Sequence, residues 1–102
     1  MESHDKDEPL ETRLVQVLGQ VQGVGYREAC VRRARELGVT GWVRNRTDGS
    51  VEAMLQGSPE QVAALCAWLS EGMSAALVEA LEVTEMPPPF ARFDNFERLP
   101  TL

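Results

Sequence analysis

The sequence predicts an α+β domain: an antiparallel sheet with two helices on one face, in the order β-α-β-β-α-β followed by a short fifth strand. Three observations predict it. Two stretches carry apolar residues at helical spacing, one ending at Gly38 and one at Gly72. Four runs rich in Val and Leu flank these stretches, with polar residues alternating in the third and fourth. Asp48-Gly49 between the second and third runs is a strong hairpin signal.

Residues 1–11 are charged, without periodicity and closed by Pro9, so they read as a disordered acidic tail ahead of a domain at 12–98. Arg13 to Leu18 is the first strand, with Gln16 its one interior polar residue. A glycine-rich loop follows. The first helix then begins at Tyr26, with Tyr26, Cys30, Ala34 and Leu37 on its buried face and Gly38 as its stop. Val39 to Asn45 and Val51 to Gln56 are the second and third strands. Val51, Ala53 and Leu55 alternate with Glu52, Met54 and Gln56, as in a half-buried strand. Ser58 as N-cap, Pro59 in the first turn and Gln61 closing a capping box open the second helix. Its stripe is Val62, Leu65, Cys66 and Leu69. Val78 to Met86, alternating around Leu81 and Val83, is the fourth strand, and Pro87-Pro88-Pro89 breaks it. Phe90 to Arg98 holds the fifth, edge strand, and 99–102 form a loose tail. Two split β-α-β units of this kind make a ferredoxin-like α/β sandwich.

Length and composition narrow the function. A chain of 102 residues, 43% hydrophobic and 25% charged, is one globular domain. It has no apolar run of membrane-spanning length and no apolar leader, so a cytoplasmic location without membrane contact is expected. The formal charge is −6, most of it in residues 1–11, whereas residues 27–46 hold six arginines against two glutamates. An acidic chain with one basic patch argues against nucleic-acid binding and permits a small anionic ligand. Cys30 and Cys66 lie inside helical patterns and read as buried, inert thiols. The sole histidine, His4, sits in the tail, which disfavours a phosphohistidine, a Ser-His-Asp triad and a His-based metal site.

The informative stretch is Gly19-Gln20-Val21-Gln22-Gly23-Val24-Gly25-Tyr26-Arg27. Glycines between a strand and a helix N-terminus let successive amides converge on an anion. Arg27 adds a planar guanidinium suited to phosphate. A Walker A motif would end Gly-Lys-Ser/Thr, and the dinucleotide fingerprint would need a third glycine at the right offset beyond Gly25; neither is present. An RNA-recognition motif would need aromatics on the first and third strands, which read RLVQVL and VEAMLQ. What remains is a phosphate cradle without metal ligands, nucleophilic histidine or paired carboxylates. Such a cradle suits a mixed carboxylic–phosphoric anhydride, whose good leaving group asks mainly for charge stabilisation and a positioned water. Asn45, at the end of the second strand, is the candidate to orient that water.

At these residues the sequence resembles the acylphosphatase family. One family signature reads here as Gly19, Val21-Gln22-Gly23-Val24, Gly25, Tyr26 and Arg27. A second reads as Gly41-Trp42-Val43-Arg44-Asn45, Gly49-Ser50-Val51 and Gly57. The resemblance spans residues 12–98 and implies the same α/β sandwich. It implies that Arg27 binds phosphate together with the amides of Gln22, Gly23, Val24, Gly25 and Tyr26, and that Asn45 positions the attacking water. The substrate would be a small acyl phosphate, hydrolysed to a carboxylate and inorganic phosphate by a monomer needing no cofactor or metal. Inorganic phosphate would be both product and inhibitor. The chain departs from the family in its extension at 1–11, in lacking a basic residue over Ser74–Glu79, and in running on after Arg98. A non-catalytic anion-binding regulatory module on the same fold is the competing reading. An acylphosphatase-like domain of a hydrogenase-maturation carbamoyltransferase is a narrower one.

Overall fold

A computed structural model describes residues 9–71 and 73–102. The acidic stretch 1–8 and the helix stop assigned to Gly72 lie outside the described residues.

The elements are β1 (Glu11–Gln20), α1 (Tyr26–Leu37), β2 (Thr40–Asn45), β3 (Val51–Gly57), α2 (Pro59–Glu71), β4 (Leu77–Glu85) and β5 (Phe96–Arg98). The sheet order is β4-β1-β3-β2-β5. The first four strands pair antiparallel, and β5 adds to β2 in parallel, so the sheet is mixed at that edge. Register puts Val15 beside Ala53, Val17 beside Val51, and Val43 beside Ala53 on one face. These pack with Tyr26, Cys30 and Ala34 of α1 and Val62, Leu65 and Leu69 of α2 in a single core.

Local chemistry sets the helix ends. Gly38 takes a left-handed φ of 79° and donates to the carbonyls of Ala34 and Arg35, while Val39 N–H reaches Ala34 O, so the last turn of α1 is closed. At the start of α2, Gln61 N–H donates to Ser58 Oγ and Ser58 N–H to Gln61 Oε1, the reciprocal capping box expected there.

Several expectations need correction. β1 starts at Glu11, which pairs with Gly57 although it was expected in the tail, and runs past Leu18 through Gly19 and Gln20, which pair with Val78 and Leu77 across a bulge. Gly19 therefore belongs to the strand; a Cβ there would lie 2.1 Å from Leu77 O, so β4 passes too close for any side chain. β3 is the central strand and is buried on both faces rather than one. Its outer-face Gln56 donates from Nε2 to Thr12 Oγ1 and Ala91 O, and its Oε1 accepts Phe93 N–H, because the chain after β4 crosses that face. β4 starts one residue earlier and ends one earlier than expected, and as the sheet edge it leaves Val83 46% exposed. The fifth strand shrinks to Phe96–Arg98. The last residues are tied down rather than loose: Leu99 N–H donates to Val43 O, Leu102 N–H to Asn45 O, and Thr47 N–H to Leu102 O. Cys66 is half-buried, with the Arg13 guanidinium 3.8 Å from its sulfur, so only Cys30 is sequestered as expected.

Antiparallel pairing brings the C-terminal end of β1, the N-terminal end of β3 and the C-terminal end of β2 to one end of the sheet. The β1–α1 loop and the β2–β3 hairpin therefore meet there.

Candidate active site

The β1–α1 loop is shaped by two glycines in the left-handed region, Gly23 at φ 78° and Gly25 at φ 84°. Gly25 is also the N-cap of α1, with no side chain capping the helix. Among the described residues, no backbone N–H from Gln22 to Glu28 finds an acceptor; the first to do so is Ala29, which donates to Gly25 O at 3.1 Å. A run of free amides at a helix N-terminus concentrates positive potential where an anion can settle. Val24 packs against the core and anchors the loop from within.

Arg27 follows on the first turn of α1 and is half-buried. Most other arginines are engaged: Arg13 with Glu11, Arg33 with Glu36, Arg44 and Arg46 with Glu52, Arg98 with Glu28, and Arg35 with Phe96 O. Arg27 has no ion-pair or hydrogen-bond partner among the described residues. A cation at the positive end of a helix gains nothing from the helix itself, so its placement suits a ligand that brings negative charge.

Tyr26 sets the angle of that turn. Its hydroxyl is buried and donates to Leu69 O at 2.7 Å, and its ring stacks on Trp68 with centroids 5.7 Å apart. Burial pushes its pKa well up, so the hydroxyl keeps its proton. With the side chain committed to α2, its backbone N–H is what Tyr26 has left for an anion.

Asn45 ends β2, level with Val51 of β3 and, through it, Val17 of β1. It is 9% exposed, and its Oδ1 is buried without any hydrogen-bond partner, the one such side-chain atom among the described residues. A buried acceptor left unmade costs about 1–3 kcal/mol, so a fold retains one where something else fills it, such as water or ligand.

The hairpin beyond Asn45 is stiffly built. Arg46 N–H donates to Ser50 O at 2.8 Å and Gly49 N–H to Arg46 O at 3.1 Å, with Gly49 at φ 94°. Asp48 accepts from both Ser50 N–H and Ser50 Oγ, and the Ser50 hydroxyl holds its carboxyl below the usual range. On the outer face, the single carboxylate of Glu52 takes both Arg44 at 3.0 Å and Arg46 at 3.3 Å, so the trio keeps a net positive charge beside the hairpin. Gln22 links loop to hairpin: its Nε2 lies 2.8 Å from both Arg46 O and Ser50 O. Its side chain is thus occupied, and what it can offer an anion is its backbone amide.

The structure therefore gathers Gln22, Gly23, Val24, Gly25, Tyr26, Arg27 and Asn45 at one end of the sheet. A cleft of about 440 Å³ lined by Leu10, Gly38, Gln56, Ser58 and Arg92 lies at the opposite end and includes none of them. The arrangement can hold a dianion by main-chain N–H groups and one guanidinium, and can orient a water by an amide. Residues 99–102, which run beside Asn45, carried no signal in the sequence, since their partners are backbone groups of β2.

The family model described as Acylphosphatase matches residues 14–97. The chain is 75% identical over 93 residues to "Acylphosphatase 1" of Ralstonia nicotianae, covering 91% of each chain. It is 59% identical over 98 residues to an acylphosphatase of Polaromonas naphthalenivorans, covering 96% of this chain and 97% of that one. Among solved structures it is similar to an acylphosphatase from Coxiella burnetii, with a TM-score of 0.84 and 32% identity over 92% of this chain and 96% of the other.

Proposed function

This chain belongs to the acylphosphatase family and is an enzyme of that class, and from that premise we propose how its residues do the chemistry. The amides from Gln22 to Arg27 and the Arg27 guanidinium hold the phosphoryl group of a small acyl phosphate. Asn45 orients the water that attacks it. The water oxygen bonds to phosphorus, the bond from phosphorus to the bridging oxygen breaks, and that electron pair leaves on the carboxylate. The proton released by the water passes to a phosphate oxygen of the substrate itself. The products are a carboxylate and inorganic phosphate, and the phosphate, fitting the same cradle, inhibits competitively.

Each residue acts by position. The free amides and Arg27 gather charge that spreads over the phosphoryl oxygens in the transition state, and because no backbone acceptor holds the amides, no internal hydrogen bond has to break before they take it. The observation that carries the reading is the unpartnered, buried Oδ1 of Asn45 at the same end of the sheet as the open amides. That atom can accept a hydrogen from the water and turn a lone pair towards phosphorus.

The test is phosphate release from a synthetic acyl phosphate in the presence of EDTA. Sustained turnover is expected; folded protein that releases no phosphate would sink the reading. Competitive inhibition by inorganic phosphate should accompany the turnover.

A further inference from the structure

The sequence gives the backbone amide of Gln22 to the phosphate and leaves its side chain free to hydrogen-bond a neighbouring loop, which is what the side chain does. The carboxamide N–H₂ has two hydrogens, and Nε2 lies 2.8 Å from Arg46 O and 2.8 Å from Ser50 O. These carbonyls sit at the two ends of the turn that follows Asn45, and each already accepts a backbone N–H, from Gly49 and Arg46 respectively. Among the described residues no other side chain hydrogen-bonds the β1–α1 loop to the β2–β3 hairpin. From this we infer that Gln22 is a positioning residue: it fixes the distance between the phosphate loop and Asn45, so that a phosphoryl group seated on the one lies in line with the water held by the other. The inference rests on the roles proposed above for the loop and for Asn45.

The geometry makes this coupling specific. Asn45 has no side-chain hydrogen bond of its own through Oδ1 to hold its amide, so its aim depends on the backbone around it. On one side that backbone is held by Leu102 N–H to Asn45 O at 3.1 Å. On the other, Gln22 grips the carbonyl of the next residue. A glutamine suits the task because it donates twice without adding a charge beside the phosphate site; a glutamate would set a carboxylate against two carbonyls. The link also runs both ways. An anion that orders the loop tightens the hairpin through Gln22, and coupling between two sites is reciprocal.

The test uses Gln22→Met, which keeps length and volume but donates nothing, in the wild-type and Asn45→Ala backgrounds. Turnover of a synthetic acyl phosphate and competitive inhibition by inorganic phosphate are measured together. The expected result is a fall in kcat on the order of 10- to 10²-fold, the scale on which misplacing a reacting group by about an ångström is felt. The inhibition constant for phosphate should move by less than about threefold, since the loop amides and Arg27 are untouched. In the Asn45→Ala background Gln22→Met should cost little more, because its effect runs through Asn45. Unchanged kcat, a loss of phosphate affinity without a loss of kcat, or a full second loss in the Asn45→Ala background would each overturn the inference. If Asn45→Ala itself kept wild-type turnover, the underlying reading would fail instead, and the two failures are thereby distinguished. Wild-type protein gives a check that needs no variant: phosphate titrated into ¹⁵N-labelled enzyme should shift the Thr47, Ser50 and Val51 amides along with those of the loop. Loop shifts with a silent hairpin would refute the coupling.

Discussion

Gly25 is the position at which the loop's conformation can be tested apart from its contacts. Its φ of 84° and ψ of 14° place it in the left-handed region, and a Cβ added there would meet nothing within 4 Å. Gly25→Ala therefore introduces backbone strain and no clash. Strain of this kind costs about 1–2 kcal/mol for an L-residue. Narrowing the unfolded ensemble returns about 0.4–1 kcal/mol, so the net loss is about 1 kcal/mol. In a domain of this size that lowers Tm by about 4–8 °C. D-alanine at the same position, introduced by chemical ligation, prefers positive φ; it keeps the entropic gain without the strain and should raise Tm by a few degrees. Thermal unfolding followed by circular dichroism reads both. Phosphate inhibition gives the functional side: the L-variant should bind phosphate more weakly if relief of strain turns the Tyr26 and Arg27 amides away, and the D-variant should bind it as the parent does. Equal shifts in Tm for the L- and D-residues would refute the claim that the loop is held open by a left-handed Gly25.

Two further outcomes follow from named residues. Arg27→Ala removes a cation that has no partner among the described residues from the first turn of α1 and should abolish phosphate binding by titration and reduce turnover to background, with stability changed by less than about 0.5 kcal/mol as for an ordinary surface change; retained phosphate affinity would move the anion site away from Arg27. Burial pushes the Cys30 thiol up from an ordinary 9.0 to about 12, so the folded protein keeps a proton that the unfolded chain releases as pH rises through about 9. Its stabilising contribution is full below that pH and is lost on the way to 12. Denaturant unfolding under reducing conditions should show about 2 kcal/mol of this loss by pH 10.5, and Cys30→Ala should flatten that slope.

What could be read from the sequence was local. The Gly38 stop, the Ser58–Gln61 capping box and the Asp48-Gly49 turn each depend on residues a few positions apart, and each formed as the residues predict. The gathering of the glycine loop and Asn45 was legible because the order of strands brings those chain segments to one sheet end. Long-range packing was not. Alternation in Val51–Gln56 suggested a half-buried strand, but Gln56 is covered by Ala91 and Phe93, which lie some distance along the chain. Val83 alternates with polar neighbours yet stands exposed, since only strand order reveals that β4 is an edge. Gly19 looked like part of the phosphate loop; its glycine serves the close approach of Leu77 O. Leu99 and Leu102 form main-chain bonds to β2, and main-chain partners leave no mark on side-chain identity. Gln22 sits between these cases: its presence in the loop was visible, but the carbonyls that take its hydrogens were not.

The central claim is a division of labour, in which the loop and Arg27 bind phosphate and Asn45 acts only on the water. Asn45→Ala separates the two in one protein: phosphate affinity by titration, and turnover of a synthetic acyl phosphate in EDTA. The account predicts turnover lower by on the order of 10²-fold or more, the scale of a lost transition-state or positioning hydrogen bond, with phosphate affinity within about threefold of the parent. Wild-type turnover in Asn45→Ala would contradict it.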